Sequence, residues 1–257
     1  MLADIRRKEI CGILKKQSAV TTASLAAKFN VSIETIRKDL LCLERSGELV
    51  RVHGGAVPKP LADSYANFSE RVENRKPQKS YAAHIAAKFV KNNDIIAIDC
   101  GSTAIEVIEA LKDRLDTLTV VTHSMDVFLR ACRYKNFNII LCGGFFDKNE
   151  NSFYGDFAIK MLEEIRVSKA FIFPSSISLS GGICEHVPYL AQMQRNLINS
   201  SDEVFIVADS SKFGKSSLVK TCDINPKFLY ITDSLIPENV KKIYKSNNIQ
   251  LITSEEV

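Results

Sequence analysis

Seven short apolar runs recur through the C-terminal part of the chain: Ile95–Ile98, Leu118–Val121, Phe137–Cys142, Ala170–Phe173, Val204–Ala208, Phe228–Ile231 and Ile249–Ile252. They are of strand length, are bounded by turn residues, and are separated by stretches of helical periodicity. Strands that alternate with helices build a parallel sheet covered on both faces, so this part of the chain is predicted to be α/β. With 257 residues, 46% of them hydrophobic, there is apolar material for a full core and for a second, smaller domain.

Five of these runs end in small, polar loops: Asp99-Cys100-Gly101-Ser102-Thr103, Thr122-His123-Ser124, Gly143-Gly144, Pro174-Ser175-Ser176 and Asp209-Ser210-Ser211-Lys212. Ligands of open α/β sheets bind outside the carboxyl ends of the strands, which predicts that these loops converge on one crevice. The first loop also opens a helix near Ser102. Backbone N–H groups freed by Gly101, with the hydroxyls of Ser102 and Thr103, make a cradle for a phosphate, and Lys212 adds positive charge. The candidate ligand-binding set is Asp99, Gly101, Ser102, Thr103, Thr122, His123, Ser124, Gly143, Gly144, Asp209 and Lys212.

The N-terminal fifth has a different character. Residues 1–57 hold ten Lys/Arg against six Asp/Glu, so the whole net charge of +4 lies there. Such a small basic module suits a polyanion. Ile10, Ile13 and Leu14 mark one face of a first helix over Ile5–Lys16, with Arg6, Arg7, Lys15 and Lys16 mostly off that face. Thr21 or Thr22 caps a second helix that points Leu25, Ala26 and Phe29 inward and ends at Asn30. Ser32 caps a third helix, with an apolar stripe of Ile33, Ile36, Leu40 and Leu43, while Thr35, Arg37, Lys38 and Leu41 face away. That is the pattern of a recognition helix, whose exposed first turns meet base edges or phosphates in the major groove. The alternation Leu49-Val50-Arg51-Val52-His53 before Gly54-Gly55 reads as a wing that brings Arg51 and His53 to the DNA backbone. The candidate DNA-binding set is Thr22, Ser32, Thr35, Arg37, Lys38, Arg51, His53 and Gly54.

Pro58-Lys59-Pro60 breaks regular structure and begins a polar stretch. The predicted division is a winged helix-turn-helix at 1–57, a linker at 58–78 and a sensor domain at 79–257. No apolar run is long enough for a membrane helix, and the first residues lack the apolar core of a signal peptide, so a cytoplasmic protein without membrane partners is expected. The seven cysteines are scattered and never spaced as Cys-x-x-Cys, which points to reduced thiols and to no metal or other cofactor.

Two stretches carry a family resemblance. Leu25-Ala26-Ala27-Lys28-Phe29-Asn30-Val31-Ser32-Ile33-Glu34-Thr35-Ile36-Arg37-Lys38-Asp39-Leu40, continued by Leu43-Glu44-Arg45-Ser46-Gly47 and Arg51-Val52-His53-Gly54-Gly55-Ala56, closely resembles the deoxyribose-operon repressor (DeoR) family of winged-helix regulators. Asp99–Thr103, Val121–Ser124, Cys142–Gly144, Lys169–Ile172 and Ala208–Gly214 resemble that family's sensor domain. The resemblance implies a sensor fold related to ribose-5-phosphate isomerase and a phosphorylated sugar as effector. It also implies double-stranded operator DNA as partner, and repression of a carbohydrate-catabolic operon. Regulators of this kind read paired half-sites, so a homo-oligomer, dimer or tetramer, is expected through the sensor domain.

The sequence departs from the family pattern near the effector. His123 stands where Asn is common, and Asp147 where an Arg often follows the Gly-Gly pair. Phe173–Ser178 replaces a Gly-rich segment, and Leu190 and Gln194 take the places of a Glu and a Lys. The charge reversal at Asp147 predicts a preference for less anionic or amino-bearing sugars. The competing reading is a sugar-phosphate isomerase, with Asp99, Asp209, Glu185, Lys212 and His123 as acid–base groups. A separate DNA-binding module argues against it, since an isomerase has no use for one.

Overall fold

The computed structural model describes residues 3–14, 20–46, 48–52, 55–58, 68–112 and 114–254, and it divides into two compact units, Met1–Tyr65 and Ala66–Val257. In the first unit, α1 (Ala3–Leu14), β1 (Val20–Thr21), α2 (Thr22–Phe29) and α3 (Ile33–Arg45) precede an antiparallel hairpin of β2 (Leu49–Val52) and β3 (Gly55–Pro58). β1 joins β3 to complete a three-stranded sheet in the order β1-β3-β2. Gly55 is required there: an added Cβ would lie 2.0 Å from the carbonyl oxygen of Val20.

The predicted caps are present. Thr21 Oγ1 accepts from the Ser24 amide at 3.1 Å, Asn30 closes α2 in the left-handed region at φ 51°, and Ser32 Oγ accepts from the Thr35 amide at 3.1 Å. Ile10, Leu14, Leu25, Ala26, Phe29, Ile36, Leu40 and Leu43 form the core with Val20, Leu49 and Ala56.

Two expectations from the helical stripes fail. Ile33 is exposed, because the first turn of α3 overhangs the core. Arg6, expected off the apolar face, is buried: its Nε meets Asp39 Oδ2 at 2.6 Å while Arg7 Nε meets Oδ1 at 2.9 Å. Asp39 thus ties α1 to α3 through both carboxylate oxygens. A buried charge is tolerated only when paired in this way.

The second unit begins with α4 (Phe68–Glu73) and α5 (Lys76–Ala87). The polar stretch read as a linker at 58–78 therefore ends earlier than residue 78, since α4 and the start of α5 fall within it and belong to this unit. Two βα units follow, β4 (Ile95–Ile98) with α6 (Ser102–Leu111) and β5 (Leu118–Thr122) with α7 (Met125–Ala131), and then β6 (Phe137–Leu141). After β6 come a small hairpin of β7 (Phe145–Asp147) and β8 (Ser152–Tyr154), then α8 (Asp156–Glu163) and β9 (Val167–Ile172). The remainder is β10 (Ser176–Ser178), β11 (Gly182–Glu185), α9 (Pro188–Asn199), β12 (Ser201–Val207), β13 (Val219–Cys222), β14 (Leu229–Ile231), α10 (Glu238–Ser246) and β15 (Gln250–Ile252).

All seven predicted strands lie in one sheet, ordered β15-β14-β12-β9-β4-β5-β6 and parallel throughout. Adjacent residues feed opposite cores, as a sheet covered on both faces requires. Ile96, Ile98, Phe171 and Phe205 pack with α5 and α6 on one side, while Ala97, Ala170, Ile172 and Ile206 pack with α8 and α9 on the other. The β7–β8 hairpin and the antiparallel sheet β10-β11-β13 were not predicted from the apolar runs. Both adjoin the carboxyl ends of the central strands.

Candidate functional site

In the first unit, the residues predicted to meet DNA lie on α2, α3 and the wing. Thr22 opens α2 and is half-buried, Ser32 caps α3, and Thr35 is half-buried with its hydroxyl 2.8 Å from that of Ser32. Arg37 and Lys38 are exposed on α3, and Arg37 makes only a loose 3.4 Å contact with Glu34. Arg51 is exposed on β2, its amide bonded to Glu44 Oε1 at 3.0 Å. His53 and Gly54 lie outside the described residues.

In the second unit the site grows from Asp99, the residue that ends β4. Its carboxylate is fully buried and accepts four hydrogen bonds: Oδ1 from the Cys100 amide at 2.8 Å and from His123 Nε2 at 2.9 Å, Oδ2 from the Phe173 amide at 3.2 Å and from Gln194 Nε2 at 3.0 Å. These donors come from the ends of β4, β5 and β9 and from α9. One carboxylate therefore pins the loops that the sequence predicts to converge.

The same Nε2 of Gln194 donates its other hydrogen to Glu185 Oε2 at 3.2 Å, and the amide oxygen accepts from Thr221 Oγ1 at 2.8 Å, which fixes the orientation of the amide. Glu185 also accepts from the Ser175 hydroxyl and from the His186 amide at 2.7 Å. Burial pushes its carboxyl up to about 7.

The remaining predicted loop residues divide by task. Thr122 donates to the Ile98 carbonyl at 2.7 Å and accepts from the Ser124 amide at 3.1 Å, so its hydroxyl is spent on joining β4 to β5. Ser124 caps α7, and Gly144 lies so near the Tyr154 carbonyl that a Cβ would meet it at 2.4 Å. Gly143 has open space around it. Gly101 has φ 144°, and a Cβ there would lie 3.2 Å from the Phe173 side chain. The glycine is needed for backbone conformation and for packing against the end of β9, so a bulky replacement would strain the fold as well as any ligand. Ser102 and Thr103 form the first turn of α6.

Asp209 caps the short turn Ser210–Lys212 through the Ser211 amide at 3.0 Å and pairs with Arg75 Nε at 2.8 Å. The Lys212 amide donates to the Asp209 carbonyl at 3.0 Å, whereas its ammonium has no hydrogen-bond or ion-pair partner among the described residues. Burial lowers its affinity for a proton, with Asp209 opposing and Arg71 reinforcing that shift.

Asp147 has a different part from the one its charge predicts. Its carboxylate accepts the Tyr189 hydroxyl and, from its own turn, the Asn149 amide at 2.6 Å. These bonds hold the β7–β8 hairpin against α9.

Arg71, Arg75, Lys79, His186 and Glu150 were not among the residues predicted from the sequence. Arg71 Nη2 pairs with Glu150 Oε2 at 2.5 Å, and Arg75 Nη2 donates to Ser210 Oγ at 3.0 Å. Lys79, almost fully buried, donates to the carbonyls of Arg71 and of Asn74, the latter at 2.7 Å, which caps the end of α4. Burial lowers the Lys79 ammonium to about 8, Asp209 opposing and Lys212 and Arg71 reinforcing. His186 is lowered too, by burial and then by Lys212 and Arg71. Arg71, Lys212 and His186 thus lie within electrostatic reach of one another beside Glu185. Their signal in the sequence was the four-residue spacing of Arg71, Arg75 and Lys79, obscured because Arg75 turns the chain between α4 and α5 at φ 56°.

Asp99, Cys100 and His123 bring three potential metal-ligand atoms within 4.8 Å. The carboxylate and the imidazole already satisfy one another and backbone groups, and burial holds the Cys100 thiol well above its ordinary value. The trio is built as a hydrogen-bonded floor.

A helix-turn-helix unit with a wing, joined to a parallel α/β unit whose strand-end loops are gathered by Asp99, defines a DNA-binding regulator with a sensor domain. Family models agree: the DeoR-like helix-turn-helix domain matches residues 6–59 and the DeoR C-terminal sensor domain residues 74–234. The chain belongs to the DeoR family of transcriptional regulators. It is 34% identical over 95% of its length, and 94% of the relative's, to the uncharacterized HTH-type transcriptional regulator YulB of Bacillus subtilis. It is 32% identical to the transcriptional repressor AccR of Agrobacterium fabrum, covering 92% of this chain and 95% of that one. The glycerol-3-phosphate regulon repressor of Escherichia coli is 28% identical, covering 96% and 97%. Among solved structures, ribose 5-phosphate isomerase A from Neisseria gonorrhoeae matches 55% of this chain and 54% of its own at 20% identity and a TM-score of 0.39. No helix among the described residues is long and apolar enough to cross a membrane.

Proposed function

We propose that the chain represses a carbohydrate-catabolic operon and that a phosphorylated sugar relieves or modulates this repression. The ligand occupies the crevice at the carboxyl ends of β4, β5, β9 and β12, with its phosphate toward Lys212 and the first turn of α6 at Gly101–Thr103. The observation that carries this reading is Lys212: a sequestered ammonium whose side chain is unpartnered among the described residues, within electrostatic reach of the like charge of Arg71. Converging cations at the carboxyl edge of a parallel sheet favour a multiply charged anion. The repressor names of relatives such as AccR and the glycerol-3-phosphate regulon repressor support the direction of control.

Operator DNA is read by α3, with Arg37 and Lys38 in the major groove, Thr22, Ser32 and Thr35 at the flanking phosphates, and Arg51, His53 and Gly54 at the backbone beside the wing. The full chain acts as a homo-oligomer held through its sensor domains, matching paired half-sites.

Thermal shift of the full chain with phosphorylated sugars and their unphosphorylated counterparts tests the ligand class. Stabilisation by phosphorylated compounds only, abolished in Lys212→Ala, is the expected result. Stabilisation by neutral sugars alone contradicts it.

A further inference from the structure

Among the described residues the parallel sheet ends at β15, which pairs with β14 and leaves its other edge open. Unpaired N–H and C=O groups along such an edge are a template for another strand, and Gln250, Leu251 and Ile252 carry no charge and no proline to refuse one. Beside the edge, Glu238, Lys241, Lys242 and Lys245 recur at the three- and four-residue spacing that gathers them on one face of α10. With Ile249 and Leu251 they line a cavity of about 420 Å³. Lys241 is engaged by Glu238 at 3.2 Å, whereas Lys242 and Lys245 are exposed and their ammonium groups have no ion-pair partner among the described residues. The cavity thus combines apolar side chains, an open strand edge and an excess of positive charge.

α10 crosses between two parallel strands, β14 and β15, so it runs against them and Lys245 lies toward the start of β15. The chain carries a segment of matching character directly after β15, Thr253-Ser254-Glu255-Glu256, of which residues 255–257 lie outside the described residues. We propose that β15 and the segment after it form the interface through which two copies of this chain pair, edge to edge and antiparallel about a twofold axis, with Glu255 and Glu256 of each copy against Lys242 and Lys245 of the other. The proposal rests on the reading that the full chain is a homo-oligomer held through its sensor domains, and it names the surface. Antiparallel pairing sets the end of one β15 beside the start of the other, where Lys245 lies, so the sign and the position of the charges agree. Backbone hydrogen bonds of the added strand supply affinity, Leu251 of each copy adds apolar contact, and the charges fix the register.

The test is sedimentation velocity of the full chain over a dilution series at low salt, where exposed charges are least screened. Lys242→Glu with Lys245→Glu, and separately Glu255→Lys with Glu256→Lys, set like charges against one another, and circular dichroism checks that each variant is folded. Each double variant should dissociate at about tenfold higher concentration than wild type. The fourfold variant, which exchanges the charges between the two positions, should recover wild-type association. Double variants that associate as wild type does, or a fourfold variant that fails to recover, overturn the β15 interface and leave the homo-oligomer standing. A wild type that is monomeric at every concentration overturns the homo-oligomer itself, and this inference with it.

Discussion

His123 and Asp99 form a wholly buried pair at the carboxyl ends of β5 and β4, with Nε2 2.9 Å from Oδ1 and the opposite ring nitrogen 2.9 Å from the Phe153 carbonyl. The ring thereby ties the end of β5 both to the end of β4 and to β8. Removing one member of such a pair strands the other's charge in the interior. His123→Ala should destabilise the second unit by about 3–5 kcal/mol, measured by denaturant unfolding. His123→Asn, which still donates one hydrogen bond, should cost less. Equal and negligible losses in both would show that the pair is not needed.

Asp39 does corresponding work in the DNA-binding unit. Asp39→Asn removes the carboxylate charge that Arg6 and Arg7 share and should weaken the α1–α3 junction by about 3–5 kcal/mol, seen as faster amide exchange in α1 and α3. Exchange in the second unit should be unaffected. Uniform exchange in variant and wild type would contradict the tie.

Arg37 and Arg51 should separate in their salt dependence. Arg37→Ala should lose roughly 1–3 kcal/mol and blur discrimination between operator variants if it reads a base edge. Arg51→Ala should weaken all sequences alike and reduce the salt slope by about one unit. Unchanged operator binding in an Arg37→Ala, Lys38→Ala double variant would remove α3 from the groove.

Glu185 makes stability depend on pH in a defined direction. Its carboxyl is raised in the folded state to about 7, so the stability it contributes is fully present below the unfolded value near 4.5 and is lost as pH rises through 7. The total is on the order of 3 kcal/mol for a group so completely buried. Unfolding curves between pH 4.5 and 7.5 should slope downward in wild type and flatten in Glu185→Gln. A parallel slope in both proteins would assign the effect elsewhere.

Local signals carried far in this chain. Apolar runs such as Ile95–Ile98 name all seven strands of the parallel sheet because a strand buried on both faces is apolar at successive positions. Thr21, Asn30 and Ser32 declare their caps because capping is settled within three or four residues. What failed to show was settled at long range. Arg6 is buried only because Asp39, 33 residues away, meets it. Arg71 reads as solvated linker until Glu150, 79 residues on, is placed beside it. Asp147 drew notice for its charge, yet Tyr189, 42 residues away, determines its use. The candidate crevice was legible as a set of loops, but its cations from α4 and α5 were not.

The most direct measurement is a titration of the operator complex with a panel of phosphorylated sugars and their unphosphorylated forms, in wild type and in Lys212→Ala. A ligand shifts the equilibrium only if it binds the DNA-free and DNA-bound arrangements with different affinity, and about 5–150-fold is the ordinary range of coupling. At least one phosphorylated sugar should change the affinity of wild type for its operator by a factor in that range. Operator DNA should change the affinity for that sugar by the same factor, and Lys212→Ala should bind operator normally without responding. If no phosphorylated compound alters operator affinity, or if Lys212→Ala responds as wild type does, the crevice is not the phosphate-sensing site.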